Sequence, residues 1–142
     1  MTHVRRGTRG YLAPECILEV ETCTTAVDIW AAGVIFLTLL TKRYPFFQLN
    51  KRHKYDYRIQ ALLQYADFFG SRKMEEAATY YARGVTLPPN ISKSGFDLSG
   101  FFPSIPEAAK DLLYKMLDMK YAERITSEEA LQHPFITKRI KQ

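Results

Sequence analysis

Cysteine is scarce in this chain of 142 residues, and the two it has form no pattern. Cys16 and Cys23 make no Cys-x-x-Cys spacing and have no histidine cluster beside them, which argues against a zinc site or a disulfide framework. They are expected to be reduced thiols of an intracellular protein. Long apolar runs are lacking as well. The longest, over 29–40, is broken only by Gly33 and Thr38 and falls short of the roughly 20 residues that a membrane-spanning helix needs. Met1-Thr2-His3-Val4-Arg5-Arg6 is followed by no apolar segment, so no secretory signal is expected. There is no internal repeat, no low-complexity tract, no convincing strand and no nucleic-acid-binding motif.

The residues that are present describe one ordinary globular unit, 46% hydrophobic and 25% charged. Its net charge of +5 is unevenly spread. Arg5, Arg6 and Arg9 crowd the first ten positions, and Lys42, Arg43, Lys51, Arg52, Lys54 and Arg58 form a second basic stretch opposed only by Asp56. Such charge attracts an acidic partner or nucleic acid at long range. The plainer account of the second stretch is a solvated surface, and without an accompanying motif neither cluster points to direct nucleic-acid binding.

The periodicity is almost entirely helical. Thr24-Thr25 is expected to cap a helix over 26–40, with Asp28 in its first turn, where a negative charge favours the helix dipole. Its apolar residues cover more than one face, as in a helix meant to be surrounded. Tyr44-Pro45-Phe46-Phe47 is expected to end it. A second helix is expected over 57–69, stopping at Gly70, and a third over 73–83, stopping at Gly84. From 85 to 103, Pro88-Pro89, Gly95, Gly100 and Pro103 mark a connecting loop or a shortened insert, long for a structureless connection. A helix resumes with Ser104 as its cap and Pro106 in its first turn, with Leu112, Leu113, Met116 and Leu117 as its apolar stripe. Thr126-Ser127-Glu128-Glu129 matches a capping box and opens a last short helix ending at His133-Pro134-Phe135.

Four strings stand in a telling order. Gly7-Thr8-Arg9-Gly10-Tyr11-Leu12-Ala13-Pro14-Glu15 comes first, then Asp28-Ile29-Trp30-Ala31-Ala32-Gly33, then Tyr44-Pro45-Phe46, then Arg124-Ile125-Thr126 running on to His133-Pro134-Phe135. In this sequence and spacing they resemble the C-terminal lobe of Ser/Thr protein kinases over nearly the whole chain. The first two strings and Phe69-Gly70-Ser71-Arg72 look most like the cell-division-cycle kinases that fire replication origins together with a regulatory activator subunit. The resemblance implies a mainly α fold, the helical C-terminal lobe of a kinase, with 1–142 as a partial domain.

It also implies roles for particular residues. Thr8 helps orient the hydroxyl nucleophile of a protein substrate. The loop from Arg6 through Gly7, Thr8, Arg9 and Gly10 to Tyr11 forms a floor for the residue that follows the phosphoacceptor, its glycines letting a peptide backbone approach. Arg5, Arg6 and Arg9 favour an acidic or phosphorylated neighbour there, because a guanidinium pairs with carboxylate or phosphate through two parallel hydrogen bonds; otherwise they belong to a frayed terminus. Glu15 and Arg124 are the kinases' buried ion pair. Asp28, with Trp30 nearby, accepts hydrogen bonds from the backbone of the catalytic loop, as a buried carboxylate requires. One departure stands out: Tyr121 occupies a position that kinases commonly give to proline.

Phosphoryl transfer also needs a glycine-rich loop, a strand lysine, a His-Arg-Asp catalytic loop and an Asp-Phe-Gly metal ligand. None occurs in residues 1–142. The chain alone is therefore expected to be inactive, with no catalytic, metal or cofactor residues of its own; Mg-ATP belongs to the complete enzyme. The expectation is a lobe segment that supplies substrate-docking surface, intracellular and nuclear, and that exposes apolar surface on its 26–40 helix. The alternative is a catalytically dead kinase-like interaction module. An unrelated helical nucleic-acid binder explains the charge but none of the ordered strings.

Overall fold

The apolar run over 29–40 forms the body of α2 (Ala26–Thr41) in the computed structural model, which describes residues 10–21, 24–50, 52 and 55–140. Trp30, Val34 and Leu37, spaced four and three apart, share one face and are at most 1% exposed. Gly33 keeps that face thin: a Cβ there would lie 2.8 Å from Leu117 Cδ2, so the chain at Leu117 packs directly on the helix. Thr24 Oγ1 accepts a hydrogen bond from the Ala26 amide at 3.2 Å, while Thr25, at the N-cap, makes no side-chain cap. At the other end the expected stop moves. Lys42 is left-handed, with φ 58°, and breaks the ladder before Tyr44-Pro45 is reached.

Short α1 (Pro14–Ile17), which the sequence pattern did not suggest, begins with proline at its first position, where a missing N–H costs nothing. It packs on α3 (Tyr57–Phe69). Asp56 caps α3 by accepting from the Ile59 amide at 3.0 Å, and Gly70, with φ 97°, ends it. α4 spans Ser71–Tyr80, so the expected run to Arg83 with a stop at Gly84 is corrected. The left-handed residue is Ala82, with φ 53°. Around it the Arg83 amide bonds the Ala78 carbonyl at 2.9 Å and the Ala82 amide bonds the Thr79 carbonyl at 3.1 Å, the paired bonds of a Schellman turn. A left-handed alanine costs roughly 1–2 kcal/mol. The Arg83 guanidinium offsets that by reaching the Leu18 carbonyl at 3.2 Å.

The segment over 85–103 is not structureless. It carries α5 (Leu98–Phe101), capped by Asp97 Oδ1 accepting from the Gly100 amide at 2.9 Å. Its backbone lies against the α3–α4 junction through Ser71 N to Ser92 O and Phe96 N to Phe68 O, both at 2.9 Å. The approach is close enough to require Gly70 and Gly95, where a Cβ would meet backbone atoms at 2.3 and 2.5 Å.

α6 (Glu107–Met116) starts after Pro106 and not at a Ser104 cap. Proline disfavours helical backbone in the residue before it, so Ile105 cannot join the helix. α7 (Ser127–Leu131) has the full capping box of Thr126 and Glu129. His133-Pro134-Phe135 opens a further helix, α8 (Pro134–Ile140), where a helix end was expected. Pro134 suits a first position, and His133 Nδ1 accepts from the Phe135 amide at 3.1 Å. All described regular elements are helices, as expected. Their shared core holds Trp30, Tyr65, Phe69, Met74 and Leu113.

Candidate functional site

The stretch 10–20 runs across the molecule and is tied down at several points. Gly10, with φ 91°, lies against the Phe47 carbonyl, which would stand 3.1 Å from a Cβ. The Tyr65 hydroxyl donates to the Leu12 carbonyl at 2.6 Å. Tyr11 is half-buried; burial, with the Tyr44 phenol beside it, pushes its hydroxyl above the ordinary range.

Glu15, in the first turn of α1, is 2% exposed and meets Arg124 from the loop before α7. Arg124 Nη1 donates to Oε1 at 2.8 Å and Nη2 to Oε2 at 2.9 Å, a bidentate pair. The guanidinium also bonds the Ala26 carbonyl through Nη1 and the Asp118 carbonyl through Nε, both at 2.8 Å, and stands 5.2 Å over the Trp30 ring. One side chain thereby joins α1, the start of α2 and the 118–126 loop. Charges removed from water need such saturation.

Of the residues singled out in the sequence, Glu15, Trp30 and Arg124 are brought together, and Asp28 is not. Asp28 is exposed in the first turn of α2. It shares a face with Ala32, Ile35 and Leu39, and Ile35 and Leu39 are 51% and 71% exposed. One side of α2 is thus a core face and the other an open apolar stripe headed by a carboxylate. Arg5, Arg6, Gly7, Thr8 and Arg9 lie outside the described residues, as do Cys23, Lys51 and Lys54.

The second basic stretch divides. Lys42 and Arg43 line an open groove of about 530 Å³ with Tyr44, Phe46, Asp67 and Phe96, and the Arg43 guanidinium lies 5.2 Å over Phe102. Arg58 turns instead toward α1, bonding the Ile17 carbonyl at 3.2 Å and Glu19 Oε1 at 2.6 Å. The anchors that sequence reasoning missed are Arg58, Tyr65, Tyr81 and Arg83. Each reaches a carbonyl or carboxylate 41 to 66 positions away, and no local pattern signals that. No group of three or more His, Cys, Asp or Glu side chains able to hold a metal ion occurs among the described residues. No described helix is long and apolar enough to cross a membrane.

Comparison of the sequence with known proteins identifies its family. A family profile described as the protein kinase domain matches residues 1–136. A probable cell division control protein 7 homolog of Encephalitozoon cuniculi is 37% identical over 140 residues, covering 92% of this chain and 38% of that protein. The cell cycle serine/threonine-protein kinase hsk1 of Schizosaccharomyces pombe is 33% identical, covering 93% of this chain and 29% of that kinase. The human cell division cycle 7-related protein kinase is 30% identical, covering 92% and 34%. The chain therefore spans well under half the length of these relatives.

Proposed function

Because this chain belongs to the protein kinase domain family, we propose that it forms the helical lobe of a Ser/Thr kinase with a cell-cycle role. In this reading the lobe holds the protein substrate while the groups that transfer phosphate stand elsewhere. The observation that carries it is the saturated Glu15–Arg124 pair. It fixes the stretch 10–17 against α2 and α3, which supports a rigid base for the docking role assigned to the residues before it. Arg5, Arg6 and Arg9 then select an acidic or phosphorylated residue beside the phosphoacceptor, and Thr8 orients the hydroxyl. Asp28 takes hydrogen bonds from the catalytic loop, and the Ile35–Leu39 stripe is covered where that loop and its helix pack. A regulatory activator subunit, a nuclear location and a part in DNA replication belong to the same reading and rest on the resemblance of the sequence strings, while the relatives' names support the cell-cycle role.

Mg-ATP supplies the transferred phosphoryl group in such an enzyme. No step of the transfer is assigned to the described residues. Two titrations of the purified chain test the reading. Mg-ATP is expected to leave its Tm unchanged, and a saturable rise would overturn the division of labour. A fluorescent peptide with phosphoserine after the acceptor serine is expected to bind more tightly than its alanine counterpart. Arg5→Ala, Arg6→Ala and Arg9→Ala together should abolish the difference; equal binding of both peptides would refute the substrate floor.

A further inference from the structure

Tyr81 lies at the C-terminal cap of α4, far in sequence from everything its hydroxyl touches. That oxygen accepts a hydrogen bond from the Tyr121 amide at 2.8 Å and donates to the Met119 carbonyl at 2.5 Å. Glu15 Oε2 stands 3.3 Å away as a second, longer acceptor. The two phenol rings are stacked, 5.9 Å apart and 12° from parallel, and Tyr80 meets the Tyr121 ring edge-on at 6.1 Å. Tyr81 is 7% exposed, and burial, reinforced by the neighbouring Glu15 charge, pushes its hydroxyl far above the ordinary phenol range. The oxygen therefore stays a neutral donor and acceptor, and being buried it needs partners for both roles.

We infer that Tyr81 is the positioning residue of the Glu15–Arg124 pair, and that the backbone N–H of residue 121 is the partner it requires. The loop carrying Arg124 leaves α6 at Leu117 and must deliver its guanidinium to Glu15. The Tyr81 hydroxyl pins that loop from both sides, through a carbonyl at 119 and an amide at 121, while standing beside the receiving carboxylate. Proline, the residue that kinases commonly carry at the position of Tyr121, has no N–H. In this chain it would leave the Tyr81 hydroxyl without its donor. Proline stiffens such a loop through its ring; here the same segment is held by a tyrosine from another helix. The departure at Tyr121 and the presence of Tyr81 are two halves of one device. The pinning of the loop by Tyr81 does not depend on the kinase reading; the contrast with proline does.

The test compares Tyr121→Ala and Tyr121→Pro, each alone and each combined with Tyr81→Phe, in the full chain. Both single substitutions remove the ring, but only proline removes the N–H. Proline is expected to lower Tm by about 3 to 5 °C more than alanine, the scale of one buried hydrogen bond in a chain of this size. That gap should close in the Tyr81→Phe background. A gap that persists there would mean that proline acts on the backbone alone, and the pairing would be wrong. Positioning has its own readout. The Arg124 Nε–H proton, followed by NMR, should exchange with solvent about three- to tenfold faster in Tyr81→Phe, and at the unaltered rate in Tyr121→Phe, which keeps both ring and amide. Unchanged exchange in Tyr81→Phe would overturn the positioning role. Should Tyr121→Pro fail to fold, the Tyr121 amide itself decides: it must lose protection from exchange in Tyr81→Phe, and retained protection would refute the bond.

Discussion

Glu15 and Glu19 lie four residues apart on the same short stretch, and each meets an arginine from a distant helix or loop. Glu15–Arg124 is bidentate, with side chains 2% and 0% exposed. Glu19–Arg58 is a single 2.6 Å contact whose side chains are 49% and 46% exposed. The chemistry is the same and the surroundings differ. At the buried pair, water cannot replace a lost partner, so each remaining charge would be stranded. At the exposed pair water and salt compete with the contact throughout, and such bridges contribute about 0–1 kcal/mol. The first decides whether α1, α2 and the 118–126 loop stay assembled; the second trims a surface.

The largest expected effect comes from removing one side of the buried pair. Arg124→Ala should cost about 3–5 kcal/mol, read as a fall in chemical-denaturation midpoint, whereas Arg52→Ala, at an exposed turn, should stay within about 0.5 kcal/mol. Equal midpoints for the two would break the comparison outright. Arg58→Ala should fall between them, at about 1 kcal/mol or less, because its Nε also bonds the Ile17 carbonyl. Its cost should shrink in high salt while that of Arg124→Ala does not. A salt-insensitive loss at Arg58 would show that the carbonyl bond, and not the charge, matters there.

The smallest expected effect is a pH dependence at Asp111. The hydrogen bond from His133 Nε2 at 2.7 Å, followed by the one from Lys115, holds its carboxyl below the ordinary range. A lowered folded value means that the contribution is present above the unfolded carboxyl range near 4 and is lost as pH falls below it. The Asp111 side chain is 54% exposed, so the contribution is screened and should not exceed about 0.5 kcal/mol. Asp111→Asn should therefore lower stability by no more than about 0.5 kcal/mol at neutral pH, flatten the profile below pH 4, and cost nothing once the carboxyl is protonated. A large loss at neutral pH would place this pair with the buried one.

Much of the architecture was legible because it rests on local signals. The body of α2, the bounds of α3 and the Thr126–Glu129 capping box follow from apolar spacing, a glycine stop and a cap whose partners lie three residues apart. Short α1 and α5 were missed, and the other errors fall at helix ends. Ala82 takes the left-handed turn expected of Gly84 because Arg83 is held from α1. α6 waits for Pro106 to pass, and α8 begins where a helix was expected to finish. At the candidate site, the strings around Glu15, Trp30 and Arg124 were readable as a resemblance. The exposure of Asp28 and the hydroxyl of Tyr81 were not.

The division has a physical cause. Helix periodicity, capping and proline stops are set by groups within a few positions of one another, so the amino-acid order alone determined a helical lobe and its ordered kinase strings. Which charges are buried, which face of α2 stays open and what steadies Arg124 depend on side chains 66 to 109 positions apart meeting in space. Burial sets the worth of each of those contacts, and burial exists only once the chain has folded.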